Sequence, residues 1–247
     1  MAVLNRKTLK NFFRHGSRPS EIHFSDLIDS SINKIDDGFA KDASNGLQLS
    51  PQGTSVRLMS FFGNLRDNKP VWDLSINPEK GANGLSFNEV SSGVSSLFLR
   101  EGGNVGIGTY QPSAKLEVAG MLAMEGRKGS FACGRVPADG SWHPVLQNLE
   151  GVVAYEIMAF VAGKKGRGKY ALAHILALST YGNSRNVVKC TQAYYGWFIN
   201  KISARWVGKV KDYSLELRTR SHYGLNEEGD PFEIEYQVTK LWEESGL

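Results

Sequence analysis

The sequence predicts a mainly β protein with a short helical segment near its amino terminus. Apolar and polar residues alternate with a period of two in many short runs, which is the pattern of strands with one apolar face. The chain has 27 glycines in 247 residues, and turn signals separate the runs at short intervals. Helical spacing is confined mainly to one stretch. A hydrophobic content of 41% is sufficient for a core, so the strands are expected to pack as sheets.

Residues 1–49 form the first predicted region, which contains an amphipathic helix. Its apolar residues recur at spacings of three and four, at Ile22, Phe24, Leu27, Ile28, Ile32, Ile35 and Phe39. Ser20 or Ser25 is a suitable amino-terminal cap, and Gly38 is a suitable end. The pair Phe12 and Phe13 has no evident partner within the chain, which favours an attachment surface over an ordinary surface helix. The residues expected on that surface are Phe12, Phe13, Phe24, Leu27 and Ile28.

Residues 50–127 form the second region and predict a β-meander. The alternating runs are Val56–Phe62, Val71–Ile76, Leu85–Asn88, Leu97–Arg100, Val105–Ile107 and Leu116–Ala123. The connections are far too short for βαβ crossovers. Such thin strands are marginal alone, and identical copies around a symmetry axis are the simplest source of partners. We therefore predict an oligomer interface at Val105, Ile107, Leu116 and Val118. The alternative is a small monomeric sandwich, for which this stretch has few large apolar residues.

Residues 128–247 form the third region and predict an antiparallel β-sandwich of jelly-roll-like type. Phe198–Trp206, Tyr213–Arg218 and Phe232–Thr239 alternate as half-buried strands do. Gly151–Ala162 and Tyr170–Leu178 are more apolar and predict more fully buried strands, although the second of these could be helical.

Charge is distributed unevenly along this third region. Residues 151–211 have ten Lys or Arg and one acidic residue, whereas residues 212–247 have three Lys or Arg and nine acidic residues. The two blocks nearly cancel, so we expect them to face each other across one domain or between subunits rather than to bind a polyanion.

Neither a metal site nor a membrane span is predicted. The five histidines lack ligand spacing, no CxxC motif is present, and no cofactor is expected. Cys133 and Cys190 predict reduced, buried thiols, although one disulfide is possible. No run of eighteen apolar residues exists, and the basic first twenty residues lack the apolar core of a secretory signal. We expect synthesis in the cytoplasm and, if the protein is extracellular, release by another route.

Motifs of catalysis are incomplete. Residues 163–169 fit the G-x-x-x-x-G-K skeleton of a phosphate-binding loop, but Tyr170 stands where Ser or Thr should bind Mg²⁺. A basic hairpin turn is the favoured interpretation, and a nucleotide-dependent enzyme is the weaker one. Trp142 and His143 are interpreted as a strand-entry aromatic residue and a surface histidine. We therefore expect no enzymatic activity.

An aromatic group with basic neighbours is the best binding candidate. Sugar sites combine aromatic ring faces with polar side chains. The candidate contacts for a glycan or receptor are Tyr194, Tyr195, Trp197, Lys164, Lys165, Arg167 and Lys169. The alternative is that Tyr195 and Trp197 line the opposite face or a subunit contact while Phe198 enters the core. Nucleic acid is disfavoured because no nucleic-acid-binding fold pattern accompanies these residues.

Two segments resemble known proteins. Asn104–Thr109 (NVGIGT), Pro112 and Lys115–Val118 (KLEV) together resemble a segment common in trimeric tail fibres of bacteriophages and of phage-tail-like particles. The stretch from Phe12 to Ser30 is similar to the amino-terminal segment of many such fibres, which commonly attaches to the particle. The resemblance implies a homotrimer with a docking segment in 1–49, a β-rich shaft in 50–127 and a distal domain in 128–247.

The function implied by the resemblance is that of a structural, non-enzymatic component of a phage tail or of a contractile injection particle. The chain is short for a long fibre, so a baseplate, collar, cap-adaptor or cage role is also expected. Its partners would be two further copies and other tail, baseplate or cap proteins of the virion or released particle. The alternative is an adhesin that binds a receptor or cell-surface glycan through the carboxy-terminal domain.

Overall fold

The computed structural model describes residues 4–31, 37–64, 66–93 and 95–243. Within these residues, sixteen strands in four sheets accompany two short α-helices and a 3₁₀ turn at Phe198–Asn200. The prediction of a mainly β protein with helices near the amino terminus is confirmed. The chain divides into two compact units, residues 1–123 and residues 124–247. The three-region division stays a prediction.

The amino-terminal segment contains two short helices, α1 (Arg6–Phe12) and α2 (Glu21–Asp29). Asn5 caps α1, because its side-chain oxygen accepts two backbone N–H groups of the first turn. Ser20 caps α2, and its backbone N–H donates to Nδ1 of His23 at 3.1 Å. No helix of the described residues has the length and apolarity needed to cross a membrane.

The prediction of one helix reaching Phe39 is wrong. The backbone N–H of Ser30 donates to the carbonyl of Asp26 at 3.1 Å, and α2 ends at Asp29. Ile32 and Ile35 lie outside the described residues.

Phe39 instead begins a hairpin of β1 (Phe39–Asp42) and β2 (Gly46–Leu49). Gly38 has a positive φ of 61°, and a Cβ at this position would lie 2.5 Å from the carbonyl oxygen of Ser50. This glycine therefore opens a hairpin and does not end a helix. The helix prediction extended too far because the spacing of apolar residues continues, by coincidence, into the first strand of the hairpin.

The larger sheet of the first unit has six strands in sequence order. They are β3 (Arg57–Phe61), β4 (Trp72–Ile76), β5 (Gly84–Glu89), β6 (Ser95–Arg100), β7 (Val105–Ile107) and β8 (Leu116–Val118). Each strand lies in one of the six predicted runs or overlaps it. The pairs from β3 to β7 are antiparallel, as a meander requires, but β7 and β8 are parallel.

The parallel pair depends on a tight crossover formed by residues 108–115. The carbonyl oxygen of Thr109 folds back so closely that a Cβ at Gly106 would lie 2.2 Å from it. The side chain of Asn104 donates to the carbonyl of Pro112 at 3.2 Å and fixes the far side of the loop. The NVGIGT…P…KLEV pattern therefore has a local structural cause, and eight residues suffice where a crossover helix would need more.

The second unit contains the remaining eight strands in two sheets. They are β9 (Ala132–Pro137), β10 (His143–Leu149), β11 (Val152–Ala162), β12 (Tyr170–Thr180), β13 (Val187–Tyr195), β14 (Ile202–Lys209), β15 (Asp212–Thr219) and β16 (Glu233–Glu243). One sheet has the order β13-β12-β11-β16-β9, and the other has the order β10-β15-β14. All their pairs are antiparallel.

The two sheets share one buried core, so the second unit is a two-layer sandwich. Tyr155, Ile157 and Ile175 enter this core from the five-stranded sheet, and Leu215 and Leu217 enter it from the three-stranded sheet. The finer jelly-roll description stays a prediction.

Two predictions about this unit need correction. The segment that could be helical is strand β12, because it pairs along its length with β11 and β13. Neither β11 nor β12 is buried on both faces: Met158, Phe160, Leu172 and Leu178 are exposed on the outer face of the sheet. An outermost layer has only one face against the core.

Both cysteines are free and exposed, so the prediction of buried thiols is wrong. Cys133 lies on β9 and Cys190 lies on β13, the two edge strands of the five-stranded sheet. Four strand spacings separate them by about 19 Å, far more than the distance that a disulfide spans.

Candidate functional site

One face of the six-stranded sheet is apolar and is not buried. The strand register places thirteen apolar residues on it, at Met59, Phe61, Trp72, Leu74, Ile76, Leu85, Phe87, Leu97, Leu99, Val105, Ile107, Leu116 and Val118. We call this set the apolar face. None of its members is buried in the chain, and Leu116 is 57% exposed.

The opposite face of the same sheet is mainly polar, yet several of its polar residues are buried, together with the apolar side chain of Phe98. The carboxylate of Asp73 accepts the hydroxyl of Ser75 and the amide of Asn88, both at 2.8 Å. The hydroxyls of Ser86 and Ser95 lie 2.8 Å apart and are fully or almost fully buried. This sheet thus reverses the usual arrangement, in which the apolar face is the buried one.

The exposed area is large for one chain. Eight members of the apolar face are about 40% exposed or more. With roughly 200 Å² for each side chain, they expose on the order of 700 Å², which is above the roughly 300–600 Å² of the largest patch on a typical monomer. That area approaches the roughly 800 Å² that each partner buries in a standard protein interface.

The four residues predicted as an oligomer interface all belong to the apolar face. Val105 pairs with Leu116, and Ile107 pairs with Val118, across the parallel strands β7 and β8. Sequence reasoning missed the other nine members, although the same period-two alternation runs through all six strands. The missing information was the pairing register, which decides whether successive runs share a face.

A second apolar surface lies on α2. Ile22, Phe24, Leu27 and Ile28 are exposed on this helix. The premise that Phe12 and Phe13 lack partners within the chain is wrong. Phe12 stacks on His23 with ring centroids 4.1 Å apart, and Phe13 meets Phe24 edge-on at 5.3 Å. Of the five residues predicted for attachment, Phe24, Leu27 and Ile28 are exposed, and Phe12 and Phe13 are half-buried.

At one end of the sandwich, the structure brings the predicted aromatic group and the basic turn together. The turn at residues 163–169 joins β11 to β12, and β13 ends beside it at Tyr195. A Cβ at Gly168 would lie 2.9 Å from the ring of Tyr195, so these segments are in contact. We call this end the aromatic tip; it comprises Lys164, Lys165, Arg167, Tyr195, Trp197 and Phe198.

The aromatic tip is solvent-accessible. Trp197 is 75% exposed and Tyr195 is 65% exposed, and Lys164, Lys165 and Arg167 are also exposed. Such exposure of neighbouring large aromatic residues is a common mark of binding surfaces.

Two of the predicted contact residues have structural partners instead. The ammonium group of Lys169 donates to the carbonyl of His222 at 2.7 Å and lies over the ring of Tyr223. Tyr194 lies on the face of β13 opposite to Tyr195, and Lys201 lies over its ring at 4.9 Å. Neither residue therefore belongs to the aromatic tip as defined.

The basic and acidic blocks of the sequence meet at this end of the unit. A groove of about 320 Å³ is lined by Lys164 and Lys165 on one side and by Leu225 and Glu227 on the other. Among the ion pairs of the described residues, Arg205–Glu216 joins the two blocks directly. The two blocks therefore come together within one domain at these two places, whereas Glu233 and Glu235 of the acidic block pair with Arg135, outside the basic block.

Beneath the aromatic tip, the loops are supported by a buried tyrosine. The hydroxyl of Tyr223 donates to the carbonyl of Asn200, and burial raises the pKa of Tyr223 to about 12. On the neighbouring edge, burial raises the pKa of Cys190, although the positive charges of Lys201 and Arg220 partly oppose that shift.

The geometry bears on two further kinds of site, a phosphate-binding loop and a metal site. The G-x-x-x-x-G-K segment joins two antiparallel strands, whereas a phosphate-binding loop joins a strand to a helix. In the described part of the chain, no group of three or more His, Cys, Asp or Glu side chains could hold a metal ion.

A scan of the chain against protein-family models and a search of the curated proteins both find no match.

Proposed function

We propose that the protein is a structural, non-enzymatic component of a phage tail or of a phage-tail-like contractile particle, and that it assembles as a homotrimer. The observation that carries the proposal is the apolar face, which is exposed along six strands while polar groups are buried behind it. Packing this face against further copies removes it from water. Three copies are proposed because of the resemblance of residues 102–120 to trimeric fibres.

The proposed interface is tested by charge substitution. Leu116→Asp places a carboxylate at the most exposed position of the apolar face, and Gln111→Asp places one on the exposed crossover nearby. Size-exclusion chromatography with light scattering should give a trimer for the wild type and for Gln111→Asp, and a smaller folded species for Leu116→Asp. An unchanged mass for Leu116→Asp, or a monomeric wild type, contradicts the proposal.

Attachment to the particle is proposed for α2. Its exposed residues Phe24, Leu27 and Ile28, which share one side of the helix, form an apolar surface that suits a neighbouring tail, baseplate or cap protein. The double variant Leu27→Ser, Ile28→Ser should remain a trimer but be absent from purified particles. Incorporation at the wild-type level would show that attachment uses another surface.

A second candidate function is receptor or glycan binding through the aromatic tip. The observation that favours it is the juxtaposition of Trp197 and Tyr195 with Lys164 and Lys165, all exposed. A glycan array probed with the wild type and with Trp197→Ala tests it. Binding that Trp197→Ala abolishes supports an adhesin, whereas burial of this tip against a neighbour in the assembled particle rejects it.

A further inference from the structure

The outer face of the three-stranded sheet carries two arginines that share one aromatic support. Trp142 lies just before β10, and the guanidinium carbons of Arg205 on β14 and Arg218 on β15 each lie 4.3 Å from its ring centroid. Cation–π contacts of this kind hold a guanidinium flat against the indole. Three separate chain segments thus position two guanidinium groups at one place.

These arginines differ in how much of their charge is compensated. Arg205 is paired with Glu216, with nitrogen–oxygen distances of 2.8 Å from both Nε and one terminal nitrogen. Arg218 has no ion pair among the described residues, and its buried Nε has no hydrogen-bond acceptor. Arg220 donates its Nε to the hydroxyl of Ser203 at 3.2 Å, and it likewise has no ion pair in this part of the chain.

We infer that Arg218 and Arg220, supported by Trp142 and Ser203, bind the carboxylate of an acidic glycan. A guanidinium held flat on an aromatic ring can present the edge of its two terminal nitrogens to the two oxygens of a carboxylate, and the buried Nε of Arg218 takes no part in this contact. Because the stacking already restricts Arg218, less side-chain entropy is lost on binding. The hydroxyl of Ser203, between the two arginines, is available to a sugar hydroxyl.

The charges around the site favour a ligand whose carboxylates are well separated over a ligand with a continuous chain of phosphates. The carboxylate of Glu216 lies beside Arg205 and would repel a dense row of phosphates, but it leaves Arg218 and Arg220 open to a single acid group. The indole of Trp142 already supports two guanidinium groups, so it does not offer a free face for stacking a nucleobase. This site lies on the outer face of the three-stranded sheet, whereas the aromatic tip lies at the β11–β12 turn.

Binding of defined acidic oligosaccharides to the full-length protein tests the inference. The probes are oligogalacturonate, hyaluronan oligosaccharides and oligosialate, each measured by calorimetry beside its methyl ester. We expect at least one acidic probe to bind at least about tenfold more tightly than its ester, because esterification removes the charge and the bidentate geometry. If no acidic probe exceeds its ester, the inference is wrong.

Variants locate the site. Arg218→Gln should weaken binding by about tenfold or more, Arg218→Lys should restore only part of it, and Lys189→Gln on β13, an exposed cation outside both candidate sites, should leave it unchanged. If Arg218→Gln does not fold, as judged by circular dichroism, the exposed Arg220→Gln replaces it with the same expected direction. Binding that survives both arginine changes, or an equally tight complex with oligothymidylate that depends on Arg218, overturns the assignment to a carboxylated glycan.

Discussion

The closest backbone approach in the crossover predicts that Gly106→Ala destabilises the six-stranded sheet. A Cβ at this position would lie 2.2 Å from the carbonyl oxygen of Thr109 and 3.1 Å from its Cγ2. A backbone oxygen cannot rotate away as a flexible side chain does. The crossover must therefore move by about 1 Å to reach ordinary van der Waals contact.

The size of the effect follows from what that movement disrupts. Overpacking typically costs about 1–3 kcal/mol. The carbonyl of Pro112 would also leave the side chains of Asn104 and Arg100, which donate to it at 3.2 and 3.3 Å. Each of these hydrogen bonds contributes about 0.5–1.5 kcal/mol, so the total is roughly 2–6 kcal/mol. Loss of chain entropy in the unfolded state opposes this by only about 0.4–1 kcal/mol.

Hydrogen exchange by mass spectrometry, at one fixed protein concentration, measures the result locally. The amides of Val105 and Ala119 donate to the carbonyls of Lys115 and Ile107, both at 2.9 Å, and report opening of the parallel pair. The matched control is Gly120→Ala, because Gly120 faces open space and its φ is not positive. If protection in Gly106→Ala stays within about 0.5 kcal/mol of the wild type, the reasoning is refuted.

Three further predictions concern the sandwich. The side chain of Gln192 accepts the N–H of Ile202 at 2.9 Å and donates to the carbonyl of Ile202 at 3.0 Å. Gln192→Ala should therefore lower the free energy of unfolding in urea by roughly 1–3 kcal/mol, and an unchanged free energy of unfolding would contradict this. The pKa of Tyr223 is raised from 10.0 to about 12, so its contribution to stability is complete below pH 10 and is lost as the pH rises through 12. The urea midpoint of the wild type should therefore fall over this alkaline range, and Tyr223→Phe should make that fall smaller. Cys133 and Cys190 should both react with a thiol reagent without denaturant, and recovery of an intrachain disulfide would be inconsistent with the fold.

Strand positions were predictable from the sequence because their signal is local. Period-two alternation between turn residues located all six strands of the first sheet. The parallel pairing of β7 and β8 was not predictable in this way, because it depends on a carbonyl of Thr109 that folds back over Gly106. Helical spacing misled the prediction near Phe39, since a spacing of four also occurs by chance where a helix gives way to a hairpin.

The aromatic tip and the arginine site differ in how much of each could be predicted from the sequence. The aromatic tip follows from topology: in an antiparallel meander, the β11–β12 turn and the end of β13 lie at the same end of the sheet. The stacking of Arg205 and Arg218 on Trp142 requires that the β14–β15 hairpin pair with β10, which is distant from it in sequence. In the sequence, Trp142, Arg205 and Arg218 are three separate positions, and no local pattern indicates that their side chains meet.

The central claim is that the apolar face of the six-stranded sheet is covered by further copies of the same chain. Sedimentation equilibrium of the purified wild-type protein over a dilution series tests it most directly, with circular dichroism to confirm folding at each concentration. We predict a species of three times the chain mass that persists until dilution dissociates and unfolds the first unit together. A folded single chain that melts cooperatively at every concentration would contradict the account.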